Sequence, residues 1–125
     1  MFLYLVRHAI AIPRGAPSIS SDAARELTPE GIRRMRQNAR ALVQLHVFVE
    51  EVWTSPLIRA RQTADLLAEE LIPRPSVRVV QALQPEGDFD LLISELDQCL
   101  ERAGIALVGH EPDLGEFATF LLAGL

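Results

Sequence analysis

Four segments of this chain carry residues suited to chemistry: Arg7-His8, Ser55-Pro56 with Arg59, Glu86 with Asp88, and His110-Glu111. Arginine keeps its charge and makes paired, charge-assisted hydrogen bonds to phosphate oxygens. Histidine near neutral pH serves as nucleophile, proton carrier or metal ligand. Arg7, His8, Arg59 and His110 around one point would therefore form an anion pocket, best matched to a phosphoryl group. Plainer readings stand beside this one. A lone arginine is often half of a surface ion pair, Glu86 lies in a Pro-Glu-Gly-Asp turn, and His46 near a helix end reads as a surface or capping residue. A metal could take His8 and His110 with Glu111 or Asp113, but adjacent arginine charge disfavours a dication and there is no HExxH pattern. No metal and no cofactor are expected.

Whether these residues meet depends on the elements that carry them. Phe2 to Val6 is a continuous apolar run, as expected for a strand buried on both faces. Residues 9 to 27, with Pro13, Gly15 and Pro17, read as a loop. Thr28-Pro29 is a helix start, with threonine at the N-cap and proline in the first turn, followed by Ile32, Met35, Ala39 and Leu42 at helical spacing. Val49 to Trp53 is a second strand. Ser55-Pro56 repeats the cap signal ahead of Leu57, Ala60, Ala64, Leu67 and Leu71, and Pro73 and Pro75 end that helix. Val77 to Leu83 is a third strand, and Phe89, Leu92, Ile93, Leu96 and Leu100 are a helical stripe with Cys99 inside it. Ile105 to Val108 is the fourth strand, and Leu114, Phe117, Ala118, Leu121 and Leu122 are the last stripe. The stripes read as core faces.

Strand and helix thus alternate four times. That order implies an α/β fold of three layers, a mostly parallel sheet with helices on both faces. Ligands bind such sheets beyond the carboxyl ends of the strands. Each of the four chemical segments follows a strand, so the topology gathers them at one sheet edge.

At 125 residues, one domain spanning 1–125 is expected. With 49% apolar and 23% charged residues and a mean hydropathy of +0.16, the chain can bury a core and is not a disordered polymer. A net charge of −5 argues against a nucleic-acid binder. All 12 basic residues are arginine, which removes Schiff-base chemistry and the P-loop lysine. The lone Cys99 excludes an internal disulfide framework and fits a reducing, cytoplasmic setting. No run approaches the roughly 18 apolar residues of a membrane span, and no basic segment precedes an apolar start, so neither a membrane nor a signal peptide is expected. GxGxxG, CxxxxxR and GxSxG patterns are absent as well. Histidine is the best nucleophile on offer.

Four segments together resemble the histidine phosphatase superfamily. LYLVRHAIA resembles its Arg-His opening, TSPLIRARQTA its Ser-Pro-x-x-Arg-Ala-x-Gln-Thr-Ala stretch, and LVGHEPDL its second-histidine segment. DAARELTPEG resembles the Asp-x-x-Arg-x-Leu-Thr stretch of the small branch, the SixA-type protein phosphohistidine phosphatases. The resemblance implies a phosphoglycerate-mutase-like fold and a phosphatase working through a covalent phosphohistidine. In it His8 is the nucleophile, Arg7, Arg59 and His110 hold the phosphoryl oxygens, and Arg25 adds a phosphate contact. Many members place an acid near the third strand; here Glu86 is the candidate general acid, with Asp88 behind it.

His8 must be neutral to attack phosphorus, and nearby arginine charge favours that form. A hydrogen bond from its other ring nitrogen to a backbone oxygen would fix the tautomer. Short connections leave no spare segment for a lid, so an open site is expected, suited to a phosphohistidine on a signalling or carrier protein. A small phosphate ester is the alternative substrate, and a phosphate- or phosphoprotein-binding module without turnover the alternative class. The small branch continues into further strands after the last helix, so the resemblance implies a domain truncated at its C-terminus, with a smaller sheet or an edge covered by a partner as the alternatives.

Overall fold

A computed structural model describes residues 1–123. The elements are β1 (Phe2–Arg7), α1 (Pro29–Gln44), β2 (Glu51–Thr54), α2 (Ile58–Glu70), β3 (Ser76–Val79), α3 (Phe89–Asp97), β4 (Gly104–Gly109) and α4 (Asp113–Ala123). Short 3-10 turns occupy Asp22–Ala24 and Gln81–Leu83. The strands are all parallel, in the order β1-β4-β2-β3. Among the described residues no helix is long and apolar enough to cross a membrane.

The period-2 alternation of β4 builds both cores. Ala106 and Val108 pack with Val52 against Met35 and Ala39 of α1 and Ala60, Ala64 and Leu67 of α2. Ile105 and Leu107 pack with Trp53 against Leu92 and Leu96 of α3 and Phe117 of α4. Each valine, leucine, isoleucine or methionine side chain among them withdrawn from water is worth roughly 1.5–3 kcal/mol. The expected three-layer α/β arrangement is present, with α1 and α2 on one face and α3 and α4 on the other. Helix α1 starts where its local chemistry dictates: Thr28 Oγ1 accepts the Gly31 N–H at 3.0 Å, and Pro29 fills the first turn.

Several local expectations change once strand order is known. β1 lies at the sheet edge and is only partly buried, with Leu3 packed toward one core and Tyr4 and Val6 toward the other and Phe2 71% exposed. The central place goes to β4, whose six residues are all buried. The second strand runs Glu51–Thr54, two residues later than the apolar run at Val49. The third ends at Val79, because the chain turns through Gln81–Leu83 and carries Leu83 into the α3–α4 core. Helix α3 stops at Asp97, so Cys99 lies beyond it and Leu100 falls off its stripe and is exposed; Leu122 is exposed too. Ser55-Pro56 does not cap α2. Leu57 holds the cap position without a side-chain bond, and the helix begins at Ile58.

The start of α1 also touches the loop that follows β1. The Ile10 carbonyl accepts the Thr28 N–H at 2.9 Å, and a Cβ on Gly31 would collide with that same carbonyl. Gly31→Ala is therefore expected to destabilise the fold by about 1–3 kcal/mol, the usual cost of overpacking against backbone. Thermal unfolding followed by circular dichroism checks it; an unchanged or raised Tm would contradict the contact.

Candidate active site

The sheet brings the two separated histidines together by register. β1 and β4 pair with Arg7 opposite Gly109, and the next N–H, that of His8, donates to the Gly109 carbonyl at 3.0 Å. The residues that follow these strands, His8 and His110, are consequently neighbours. Their ring centroids lie 5.3 Å apart with the planes tilted by 55°. The chain leaves β1 toward α1 on one face and β4 toward α4 on the other. A crevice opens between the diverging paths. It is an open cleft of about 1010 Å³, lined by Arg7, His8, Arg14, Arg25, Arg34 and Arg59 from the β1, α1 and α2 side and by Glu86, Glu111, Asp113 and Glu116 from the α4 side.

The four residues of the expected anion pocket all line this cleft. Arg59, in the first turn of α2, is only 2% exposed, and its Nε has no partner. Its other nitrogens reach Asp22: Nη1 donates to the backbone oxygen at 2.9 Å and Nη2 to Oδ2 at 3.2 Å. Arg25 is buried too, donating from Nε to Asp22 Oδ1 at 2.9 Å and from Nη1 to the Ile12 carbonyl at 3.0 Å. Arg25 thus combines a place on the cleft wall with a packing role in the loop. Arg7 is exposed and forms no ion pair among the described residues.

The histidines are held differently. His8 Nδ1 lies 2.8 Å from the Ala9 carbonyl oxygen. A carbonyl only accepts, so Nδ1 carries the hydrogen and the neutral ring keeps its lone pair on Nε2. This is the backbone bond expected to fix the tautomer. His110 is 4% exposed, with Nε2 at 2.8 Å from Ser55 Oγ and Nδ1 buried without a partner. Ser55 Oγ also accepts the Leu57 N–H at 3.2 Å, so the residue read as a helix cap instead links the α2 start to His110.

Burial lowers the pKa of His8 first, with Arg59, Arg7 and Arg25 adding to it against the opposing Ala9 hydrogen bond. Desolvation thus outranks the arginine charge from which a neutral His8 was expected. His110 is pushed down to about 4, by burial, then by Arg59 and His8. Both rings are neutral at neutral pH, and the positive charge of the pocket resides on guanidiniums. Burial also lowers the pKa of Arg59, against the opposing pull of Asp22. Burial raises that of Asp22, but the Arg25 hydrogen bond and the charges of Arg59, Arg25 and Arg14 outweigh it and leave it low.

Glu86 and Asp88 separate. Glu86 lines the cleft from an exposed turn with φ 62°, and its N–H donates to Asp113 Oδ2 at 2.7 Å. Asp88 is the N-cap of α3, accepting from the Asp90 and Leu91 N–H groups, and takes no place in the cleft wall. Among the described residues no three His, Cys, Asp or Glu side chains converge as a metal site would require. His46 is exposed just past α1 with φ 59°, as a helix-ending residue would be.

Three site-building residues escaped the sequence reading: Asp22, Ser55 in its contact with His110, and Thr63. The buried Thr63 hydroxyl accepts the Ala9 N–H at 3.0 Å from 54 residues away. All three stand inside segments quoted above, Asp22 in DAARELTPEG and Ser55 and Thr63 in TSPLIRARQTA, but a motif does not show which atoms meet. The arrangement as a whole offers a lone pair on His8, a second neutral imidazole beside it and fixed cations around a tetrahedral anion's space.

Comparison with known proteins agrees with this fold. The sequence profile of the histidine phosphatase superfamily (branch 1) matches residues 3–90. The chain is 42% identical over 127 aligned positions to an uncharacterized protein of Picosynechococcus sp., covering 99% of this chain and 74% of that one. It is 32% identical to the phosphohistidine phosphatase SixA of Escherichia coli, covering 99% and 76%. The structure of the protein histidine phosphatase SixA complexed with tungstate superposes with a TM-score of 0.86 at 30% identity, covering 97% of this chain and 76% of that one. With a profile that takes in β1 through the start of α3 and relatives aligned over nearly its whole length, the chain belongs to branch 1 of the histidine phosphatase superfamily.

Proposed function

We propose that this protein is a phosphatase that removes the phosphoryl group from phosphohistidine on a signalling or carrier protein, through a phosphorylated His8. The observation that carries this reading is the His8 ring itself. Its Nδ1–H is committed to the Ala9 carbonyl, and its free Nε2 lies in a cleft shared with Arg59, Arg7 and His110. The relatives named SixA support the substrate class, and tungstate, a tetrahedral oxyanion like phosphate, accompanies one of them. The openness of the cleft supports a side chain presented by another protein.

In this reading His8 Nε2 attacks phosphorus in line. The bond from phosphorus to the substrate's imidazole nitrogen breaks as the bond to Nε2 forms. Arg7, Arg59 and His110 hold the equatorial oxygens, where each donor is worth on the order of 10²–10³ in rate. Arg25 extends the cationic wall. The departing nitrogen takes a proton, which in this reading comes from Glu86, one of the carboxyls that line the cleft. Water then attacks phosphorus, the bond to Nε2 breaks, and the proton lost by water passes back to the Glu86 carboxylate.

The deciding assay compares kcat/KM for a phosphohistidine carrier protein with values for sugar phosphates and nucleotides. The carrier should be preferred. Preference for a small ester by orders of magnitude would make the protein a phosphomonoesterase, and phosphate binding without any hydrolysis would make it a binding module.

Labelling with a radioactive phosphoryl donor should give an acid-labile, base-stable adduct, as for a phosphorus–nitrogen bond, and His8→Ala should abolish it. An adduct of the opposite lability would move the nucleophile to a carboxylate.

The pH dependence has a defined sign. His8 reacts when neutral, and its pKa is lowered from 6.5, so the neutral form persists as pH falls through that value. The acid limb of the labelling rate should have its midpoint below pH 6.5; a midpoint above it would contradict a half-buried, neutral His8.

A further inference from the structure

We infer that Thr63 is a positioning residue for the His8 imidazole, acting through Ala9; the inference rests on His8 being the reacting group of the proposed function. Thr63 is fully buried on α2, one turn after Arg59. Its hydroxyl donates to the Arg59 carbonyl at 2.8 Å, so its lone pairs face away from the helix. One of them accepts the Ala9 N–H at 3.0 Å. The His8 main chain is thereby pinned on both sides, its own N–H on Gly109 and the following N–H on Thr63. Ala9 then presents its carbonyl to His8 Nδ1 at 2.8 Å. A ring bond to the adjacent residue's carbonyl closes for only a narrow range of backbone angles at that residue. Anchoring the Ala9 N–H is what keeps the angles there. Since Thr63 and Arg59 share one helix turn, the same hydroxyl registers the nucleophile against the cation that faces it.

A merely structural threonine would matter only for packing, and two variants separate the roles. Thr63→Val keeps the branched shape and loses the hydroxyl, whereas Thr63→Ser keeps the hydroxyl and loses a methyl. Long-range proton–nitrogen correlation on the full chain with isotope-labelled histidine reads the His8 tautomer directly. Wild type should show the Nδ1–H form, Thr63→Val a mixture of both tautomers, and Thr63→Ser the wild-type pattern, with the exposed His46 unchanged throughout. In turnover of the phosphohistidine carrier, Thr63→Val should lose about 10–100-fold in kcat with little change in KM, the scale of a small misplacement of a reacting group. Thr63→Ser should restore most of it.

A folded Thr63→Val with the wild-type His8 pattern overturns the inference, as does a Thr63→Ser as impaired as valine. Should the valine variant not fold, hydrogen exchange in wild type decides. The Ala9 amide should be protected by about a hundredfold or more over an open loop amide, and exchange at the loop rate overturns the inference. If wild type turns over no phosphoryl substrate while the ring signals respond as expected, the phosphatase reading fails and the positioning role stands. If turnover is present and the ring signals ignore both variants, the positioning role alone fails.

Discussion

Parallel pairing of β1 with β4 controls where Arg7, His8 and His110 lie in the cleft. Residues after a strand lie where its last backbone hydrogen bonds aim them, and this ladder sets Arg7 opposite Gly109. The bond from the His8 N–H to the Gly109 carbonyl extends the ladder one step past β1. A slip of one residue would turn each side chain of β1 to the other face and carry His8 away from His110. β4 can act as this reference because it is buried along its whole length, with one core on each side.

Charge in the cleft is divided between groups that cannot lose it and groups that have already done so. The half-buried His8 and the buried His110 give up their protons because the charged form loses its hydration. Guanidiniums stay charged in the same surroundings, and Asp22 partners two of the buried ones, Arg25 and Arg59. A carboxylate in that place keeps the cations oriented before any substrate arrives, so little reorganisation is left for the reaction itself. Membership of branch 1 of the histidine phosphatase superfamily gives this arrangement a context, and the neutral, tautomer-fixed His8 gives it a physical logic.

Local chemistry was legible where it was self-contained. The Thr28 cap and Pro29 turn need only their own neighbours, and they start α1 as read. The stripes of α1 and α2 face the sheet because 3.6-residue periodicity is a property of the segment. Reading failed where a residue's role depends on a distant partner. Phe2 to Val6 has the composition of a strand buried on both faces and is only partly buried, because strand order puts it at the sheet edge. Ser55 has the chemistry of a cap and serves His110, since α2 starts later than its signal and the hydroxyl meets a ring 55 residues away. Asp88 and Glu86 are two residues apart, yet one caps α3 and the other faces the cleft.

From its residues alone this chain specified alternating strands and helices, the anion-seeking side chains that follow them, and the motifs of its superfamily. These are written in short-range periodicity and in residue type. The three-dimensional fold decided which strand is central, which of two carboxyls reaches the cleft, and which hydroxyls hold the imidazoles. Those outcomes are set by hydrogen bonds and burial between segments tens of residues apart, and such contacts exist only once the sheet has closed.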